Sequence, residues 1–382
     1  MDFNLNEEQQ MLSDTVQRLV RNTYGFEQRE AFYRSDTGDS PEFWRQLSEL
    51  GITSVPIAQA YDGFGGSGVE NMVVMKELGR SLCLESYLHS QIYGAGLVQQ
   101  LGSPDQCQRI LPAVAAGDCR LAVADEEAGS HYHVDRIECR ATPCERGWRL
   151  NGRKRVVIGG ERARYLLVTA HIDGTEGVSL FILDPKSEGV SRIGYPCADG
   201  PQACDLLLED IYVEADDLLG HPGSALSALH YQRGRAMAAQ CAEALGSMEE
   251  AFRLTLDYLK TRQQFGGPIG GFQVLQHRMA DIRGELELAT SMTILAACVA
   301  DDPDSGERSR KLTAAKFITA RASQMIAEQA IQLHGGIGMT WEYALAHHAK
   351  RLVMLIHQFG DDDFHLGDYS ALLDVPGRAN HN

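Results

Sequence analysis

The spacing of apolar positions divides the chain into three stretches. Over residues 1–120 they recur every three or four positions. Leu12, Val16 and Leu19 follow an acidic first turn at Glu7 and Glu8, which favours a helix N-terminus. Phe43, Leu47 and Leu50 repeat the period until Gly51, a residue that suits a helix stop. The glycine-dense segment YDGFGGSG at 61–68 predicts a loop, and 69–82, 86–101 and 104–115 predict further helices.

Near residue 120 the period changes. Leu121–Ala124, Leu166–Ala170, Val178–Leu183 and Leu206–Val213 are short apolar runs between turn residues, and they predict strands. Trp148–Leu150 and Arg155–Ile158 flank Asn151-Gly152, which predicts a hairpin because Asn-Gly supplies the positive φ of a type I′ turn. Such strands suggest a small barrel or sandwich. From about 225 helical spacing returns in long runs. Met237, Cys241, Leu245 and Met248 begin one, Ile269, Phe272, Leu275 and Met279 another, and a third covers 310–333 before Gly335-Gly336. The expected fold class is α+β. It comprises an N-terminal all-helical domain at 1–120, a middle β-barrel or sandwich domain at 121–224 and a C-terminal bundle of four long helices at 225–382.

Composition narrows the function. Of 382 residues 44% are hydrophobic, enough for a large core. Fifty-two acidic against 35 basic residues give a formal charge of −17. That balance argues against binding nucleic acid or an anionic membrane, both of which need a basic face. No apolar run approaches the roughly 20 residues that span a bilayer. The start, MDFNLNEEQQ, lacks the apolar core of a secretory signal. Nine scattered cysteines without a CxxC pair fit a reduced, cytoplasmic protein. His131 with His133, and His347 with His348, have no second ligand pair at metal-site spacing, so no metal is expected.

The segment TRQQFGGPIGGFQVLQHRMADI (261–282), with IQLHGGIGMTWEYAL (331–345), resembles the acyl-CoA dehydrogenase family. The resemblance extends over nearly the whole chain and includes its helix–sheet–helix order. GDDDFHL (360–366) brings it nearest to small subunits of heteromeric enzymes, such as pimeloyl-CoA dehydrogenase small subunits and actinobacterial steroid side-chain dehydrogenases. The family reaction is FAD-dependent α,β-desaturation of an acyl-CoA thioester: a carboxylate takes the α-proton and FAD accepts the β-hydride. The resemblance implies that Arg262 clasps the FAD pyrophosphate of a neighbouring subunit, as a guanidinium suits phosphate oxygens. It places Phe265 near the adenine end and gives Gln273 a hydrogen bond to the cofactor. It brings Gln332, Gly335 and Gly336 to the adenosine diphosphate part, with His334 and Gly338 close by. Ser130 falls on the flavin-ring side, and Arg235 at the handle for the CoA thioester.

Departures from the family pattern cluster on the ring side. In ADEEAGSHYHV (124–134), Ala124 stands where the family has a hydroxyl, and His131 where it has Asp. Val156 and Ile158 replace a Trp and a Thr, and Gln232 replaces an Asp. The family's catalytic Glu falls on Gly360, or on Asp361 with a one-residue slip, and its other known location is Ala236. Asp361 is therefore the candidate base, against the plainer reading of Asp361, Asp362 and Asp363 as an acidic turn or helix cap.

These losses predict the small subunit of an α2β2 heterotetramer. It would give trans contacts to FAD, while a larger subunit supplies the ring pocket and the catalytic Glu. A self-sufficient homotetramer with Asp361 as base is the first alternative, and a non-catalytic structural or regulatory partner the second. The resemblance further implies an acyl-CoA substrate, of steroid side-chain or dicarboxylyl type, and an electron-transferring flavoprotein as acceptor.

Overall fold

A computed structural model describes residues 4–373. In chain order the helices are α1 (Glu7–Thr23), α2 (Phe26–Tyr33), α3 (Pro41–Glu49), α4 (Gly68–Arg80), α5 (Ala95–Leu101), α6 (Pro104–Ala115), α7 (Leu226–Thr261), α8 (Gln273–Val299), α9 (Ser305–His334), α10 (Ala344–His357) and α11 (Asp362–Leu373). The strands are β1 (Leu121–Ala124), β2 (Arg140–Cys144), β3 (Gly147–Ile158), β4 (Tyr165–Ile172), β5 (Ser179–Leu183), β6 (Val190–Pro196), β7 (Gln202–Glu214) and β8 (Leu218–Leu219), with a two-residue ribbon β9 (Gln263–Gln264) and β10 (Gly267–Pro268). They form two compact units. One combines Glu27–Asn71 with Leu84–Ala236, and the other Met1–Phe26, Met72–Cys83 and Met237–Asn382.

The first unit is built on a mixed sheet of order β6-β7-β3-β2-β4-β5-β8, with β1 joining β4 in parallel. Alternate positions of β3, β4 and β7 point inward, so Leu150, Leu166, Val168, Leu206, Leu208 and Ile211 share one core. The Asn151-Gly152 hairpin does not form. β3 runs unbroken through both residues, paired with β7 on either side of a register shift between Leu150 and Gly152. The Asn151 side chain accepts the amide of Asp210 on β7 at 2.8 Å, and it is β7 that bulges there, Glu209 and Asp210 (φ 53°) standing opposite Asn151 alone. β2 and β6 carry little apolar alternation, which is why the residue pattern gave no sign of them. Between α4 and α5 the buried stretch Leu88–Gly94 is wound as a π-helix.

The second unit is a helical bundle. Met248, Ile282, Leu286, Ile326, Leu345 and Leu352 form the centre of its core. α7 and α10 meet along a buried polar seam. Gln240 donates to Gln358 at 3.0 Å, Arg351 to Glu243 at 2.7 Å, and the Ser247 hydroxyl meets His348 Nδ1 at 2.9 Å. Partner numbers on α10 fall as those on α7 rise, so these two helices run antiparallel. α4 lies against α7 at backbone distance: a Cβ on Gly79 would sit 2.1 Å from Glu243 O, and one on Gly246 would sit 1.9 Å from Lys76 O. Only glycine permits that approach. Lys76 reinforces the crossing with an ion pair to Glu249 at 2.9 Å.

Candidate functional site

The C-terminal ends of α7 and α9 come together through one histidine. His334 stacks on Tyr258 with ring centroids 4.5 Å apart. Its Nδ1 lies 2.9 Å from Ala330 O, so that nitrogen carries the proton and Nε2 accepts from the Tyr343 hydroxyl at 3.3 Å. Burial lowers its pKa, which keeps the ring neutral. This stack joins the two motifs that the sequence places about 70 residues apart.

Arg262 directly follows α7, its amide donating to Tyr258 O at 2.8 Å and its carbonyl accepting from Ile269 at 2.9 Å. Its backbone is thus held while its side chain is exposed, and it forms no salt bridge among the described residues. The ribbon β9–β10 turns at Phe265 (φ 53°) and Gly266 (φ 86°), both left-handed. Phe265 is 91% exposed and meets Phe272 edge-on at 5.9 Å. A bulky residue in that conformation, holding an aromatic ring in solvent, is a double cost. Gln273, the first residue of α8, is also exposed.

At the end of α9, Gln332 is exposed and Gly335 is the C-cap at φ 64°. A Cβ on Gly335 or Gly336 would meet nothing within 4 Å, so at 336 packing within the chain does not demand glycine. Gly338 differs: its Cβ would come within 2.9 Å of His334 Cβ. Arg262, Phe265, Gln273, Gln332, Gly335 and Gly336 therefore all belong to the bundle unit. Their donors and open glycines fit a phosphate-bearing group approached from outside.

Asp361 is in the same unit. Its Oδ1 accepts the Phe364 amide at 2.9 Å, and its carbonyl accepts from His365 at 3.1 Å. That is the geometry of an N-cap for α11, after a turn at Phe359 (φ 61°) and Gly360 (φ 107°).

Ser130 and Arg235 lie in the sheet unit. At the end of β1, next to the buried Ala124, three acidic residues are tied inward. Tyr93 donates to Asp125 at 2.5 Å. Arg233 lies 3.6 Å from Asp125 and 3.0 Å from Glu126. The Ser130 hydroxyl lies 3.0 Å from both Glu126 Oε2 and Glu127 O. Glu127 accepts Lys154 Nζ and the Glu138 amide, each at 2.6 Å. Lys154, fully buried, also donates to Thr169 at 2.8 Å. Burial raises the pKa of Asp125, although Arg233 opposes it, and holds the Tyr93 phenol well above its usual range. Arg235 donates to Gln232 at 3.3 Å, and Gln232 to Gln100 at 2.9 Å. Val156 takes φ 50° and exposes its side chain, its amide held by Asp205 Oδ1 at 3.1 Å. Ala124, Val156 and Ile158 offer no side-chain donor, and Ser130 is engaged within its own loop. This segment does not fit a flavin ring, whose polar edge needs donors.

Sequence reasoning missed the Tyr93–Asp125–Arg233–Glu126 network. Its only local signal was the paired acids after Ala124, and Arg233 stands 107 positions beyond Glu126. Among the described residues no three His, Cys, Asp or Glu side chains stand together as metal ligands, and no helix is long and apolar enough to cross a membrane.

Two family patterns match the chain: "Acyl-CoA dehydrogenase, N-terminal domain" over residues 6–118 and "Acyl-CoA dehydrogenase, C-terminal domain" over 223–368. Acyl-CoA dehydrogenase FadE12 of Mycobacterium tuberculosis is 30% identical over 352 residues, covering 89% of each chain. Mitochondrial isovaleryl-CoA dehydrogenase of Oryza sativa is 29% identical over 311 residues, 78% of this chain and 75% of that one. Among solved structures, a variant of the Tcur3481-Tcur3483 steroid ACAD is similar with a TM-score of 0.87 and 28% identity, over 96% of this chain and 98% of that one. The ChsE4-ChsE5 complex from Mycobacterium tuberculosis is similar with a TM-score of 0.89 and 25% identity, over 99% and 100%.

Proposed function

The chain belongs to the acyl-CoA dehydrogenase family, and from that premise we propose that it is the small subunit of a heteromeric acyl-CoA dehydrogenase. One observation carries the reading. The residues expected to reach a neighbour's FAD are on the surface with their donors outward, while those expected to serve the chain's own flavin ring are apolar or bonded to one another. Bound FAD supplies hydride acceptance in this family. In this chain Arg262 would hold pyrophosphate oxygens, Gln332 and Gln273 would hydrogen-bond the nucleotide part, and Gly336 would admit it to the backbone. The larger subunit would supply the ring pocket and the carboxylate that removes the α-proton. Similarity to the steroid ACAD and the ChsE4-ChsE5 complex supports a heteromeric assembly and a bulky acyl-CoA substrate. An electron-transferring flavoprotein as acceptor and a cytoplasmic location complete the proposal.

The test is the FAD-to-chain ratio. Purified alone, the chain should be colourless; with its large subunit it should carry FAD, and Arg262→Ala should lower the amount retained. Yellow, stoichiometric protein from the isolated chain would instead establish the self-sufficient homotetramer. Undiminished FAD in the Arg262→Ala complex would favour a purely structural partner.

A further inference from the structure

Beside the α7–α10 seam lies a small cavity of about 10 Å³ whose wall includes Gln240, Cys241, Lys316, Thr319, Ser323 and Leu355. Its lining residues are all buried, and its size is about that needed for one water molecule. One wall group lacks a good partner. Thr319, 2% exposed, has its hydroxyl buried without a hydrogen-bond partner of acceptable geometry, and the Cys241 thiol near it is a weak partner. Ser323 donates to Met248 Sδ at 3.8 Å, which leaves its oxygen able to accept. Lys316 Nζ donates to Gln240 Oε1 and to Leu355 O, both at 2.6 Å.

We propose that this cavity is a binding site for one ordered water, held by the hydroxyls of Thr319 and Ser323 beside the Lys316 ammonium. A buried hydroxyl left unpaired costs about 1–3 kcal/mol, and a bridging water removes that cost. The site has structural reach. Lys316 holds the last turn of α10 through Leu355 O, and Gln240 passes from Lys316 to Gln358, which immediately precedes the Phe359–Gly360 turn into Asp361. The water completes the polar support of that turn. The inference is independent of the subunit assignment, since every group in it lies within the bundle unit.

Thr319→Val in the full chain tests it, because the two states give opposite signs. If the cavity is wet, losing the hydroxyl strands the water: the melting midpoint falls by about 2 °C, and amides of Gln358 to Asp361 exchange several-fold faster. If it is dry, a methyl replaces an unpaired hydroxyl and the midpoint stays or rises, which overturns the proposal. A high-resolution crystal map of the parent chain provides a second readout that needs no variant. A single water peak within hydrogen-bond reach of Thr319 Oγ1 is expected. An empty cavity refutes the water assignment.

Discussion

Arg233 and Glu126 are joined by a hydrogen-bonded ion pair of 3.0 Å across 107 residues of sequence. The same guanidinium lies 3.6 Å from Asp125, so one cation is shared by two carboxyl groups at the end of β1. Removing one partner of a buried pair leaves the others uncompensated. Arg233→Ala should therefore destabilise the chain by about 3–5 kcal/mol, measured by denaturant unfolding. A loss under about 1 kcal/mol would mean that solvent already screens the cluster.

Asp125 gives this cluster a pH signature. Its carboxyl is buried and holds its proton more tightly folded than unfolded. The sign follows from linkage. As pH rises above the unfolded value of about 3.9, the unfolded state ionises first, so this group's contribution to stability declines until the folded carboxyl has also ionised. Asn cannot ionise and still accepts from Tyr93. Asp125→Asn should thus gain stability relative to the parent between about pH 4 and neutrality. Paired denaturation curves across that range check it, and a relative gain toward acid would refute it.

Two helical glycines should respond oppositely to Ala. Gly79 is pressed against the backbone of α7, so Gly79→Ala must separate α4 from α7 and should cost at least about 1–3 kcal/mol. At Gly284 on α8 an added Cβ meets nothing within 4 Å. Gly284→Ala should stabilise the isolated chain by about 0.5–1 kcal/mol, because Ala loses less backbone entropy on folding. Thermal melts of the two variants supply the comparison.

Asp361 separates the two catalytic readings. Asn caps a helix about as well as Asp, so Asp361→Asn should leave stability nearly unchanged, whereas Asp361→Ala should cost about 1 kcal/mol. In the complex, desaturation by Asp361→Asn should stay within about twofold of the parent if the larger subunit supplies the base. A loss of about 10²–10⁴-fold, the usual worth of a general base, would make Asp361 the base. Single-turnover flavin reduction is the measurement.

Much of the fold was legible from local pattern. The helical periods of α1, α3 and α6–α9 and the apolar runs of β1, β4, β5 and β7 needed only spacing and turn residues, because each element buries one face or one short run. Asn151-Gly152 misled because the turn signal is local, whereas β3 continues through both residues to pair with β7, whose own bulge at Glu209 and Asp210 takes up the register shift. The family also lay in contiguous residues, since the loop after α7 and the end of α9 carry their chemistry in unbroken motifs.

The sequence by itself determined the helix–strand–helix order, the family, and which familiar residues the ring side lacks. Only the tertiary structure decided which side chains stand together at the end of β1. Tyr93, Asp125 and Arg233 come from three distant segments, and no local rule links their charges until folding brings them within hydrogen-bond reach. It likewise decided that Gly79, pressed against the backbone of α7, must be glycine. Burial, close approach and charge pairing are properties of neighbours in space, and for these residues the neighbours come from other segments of the chain.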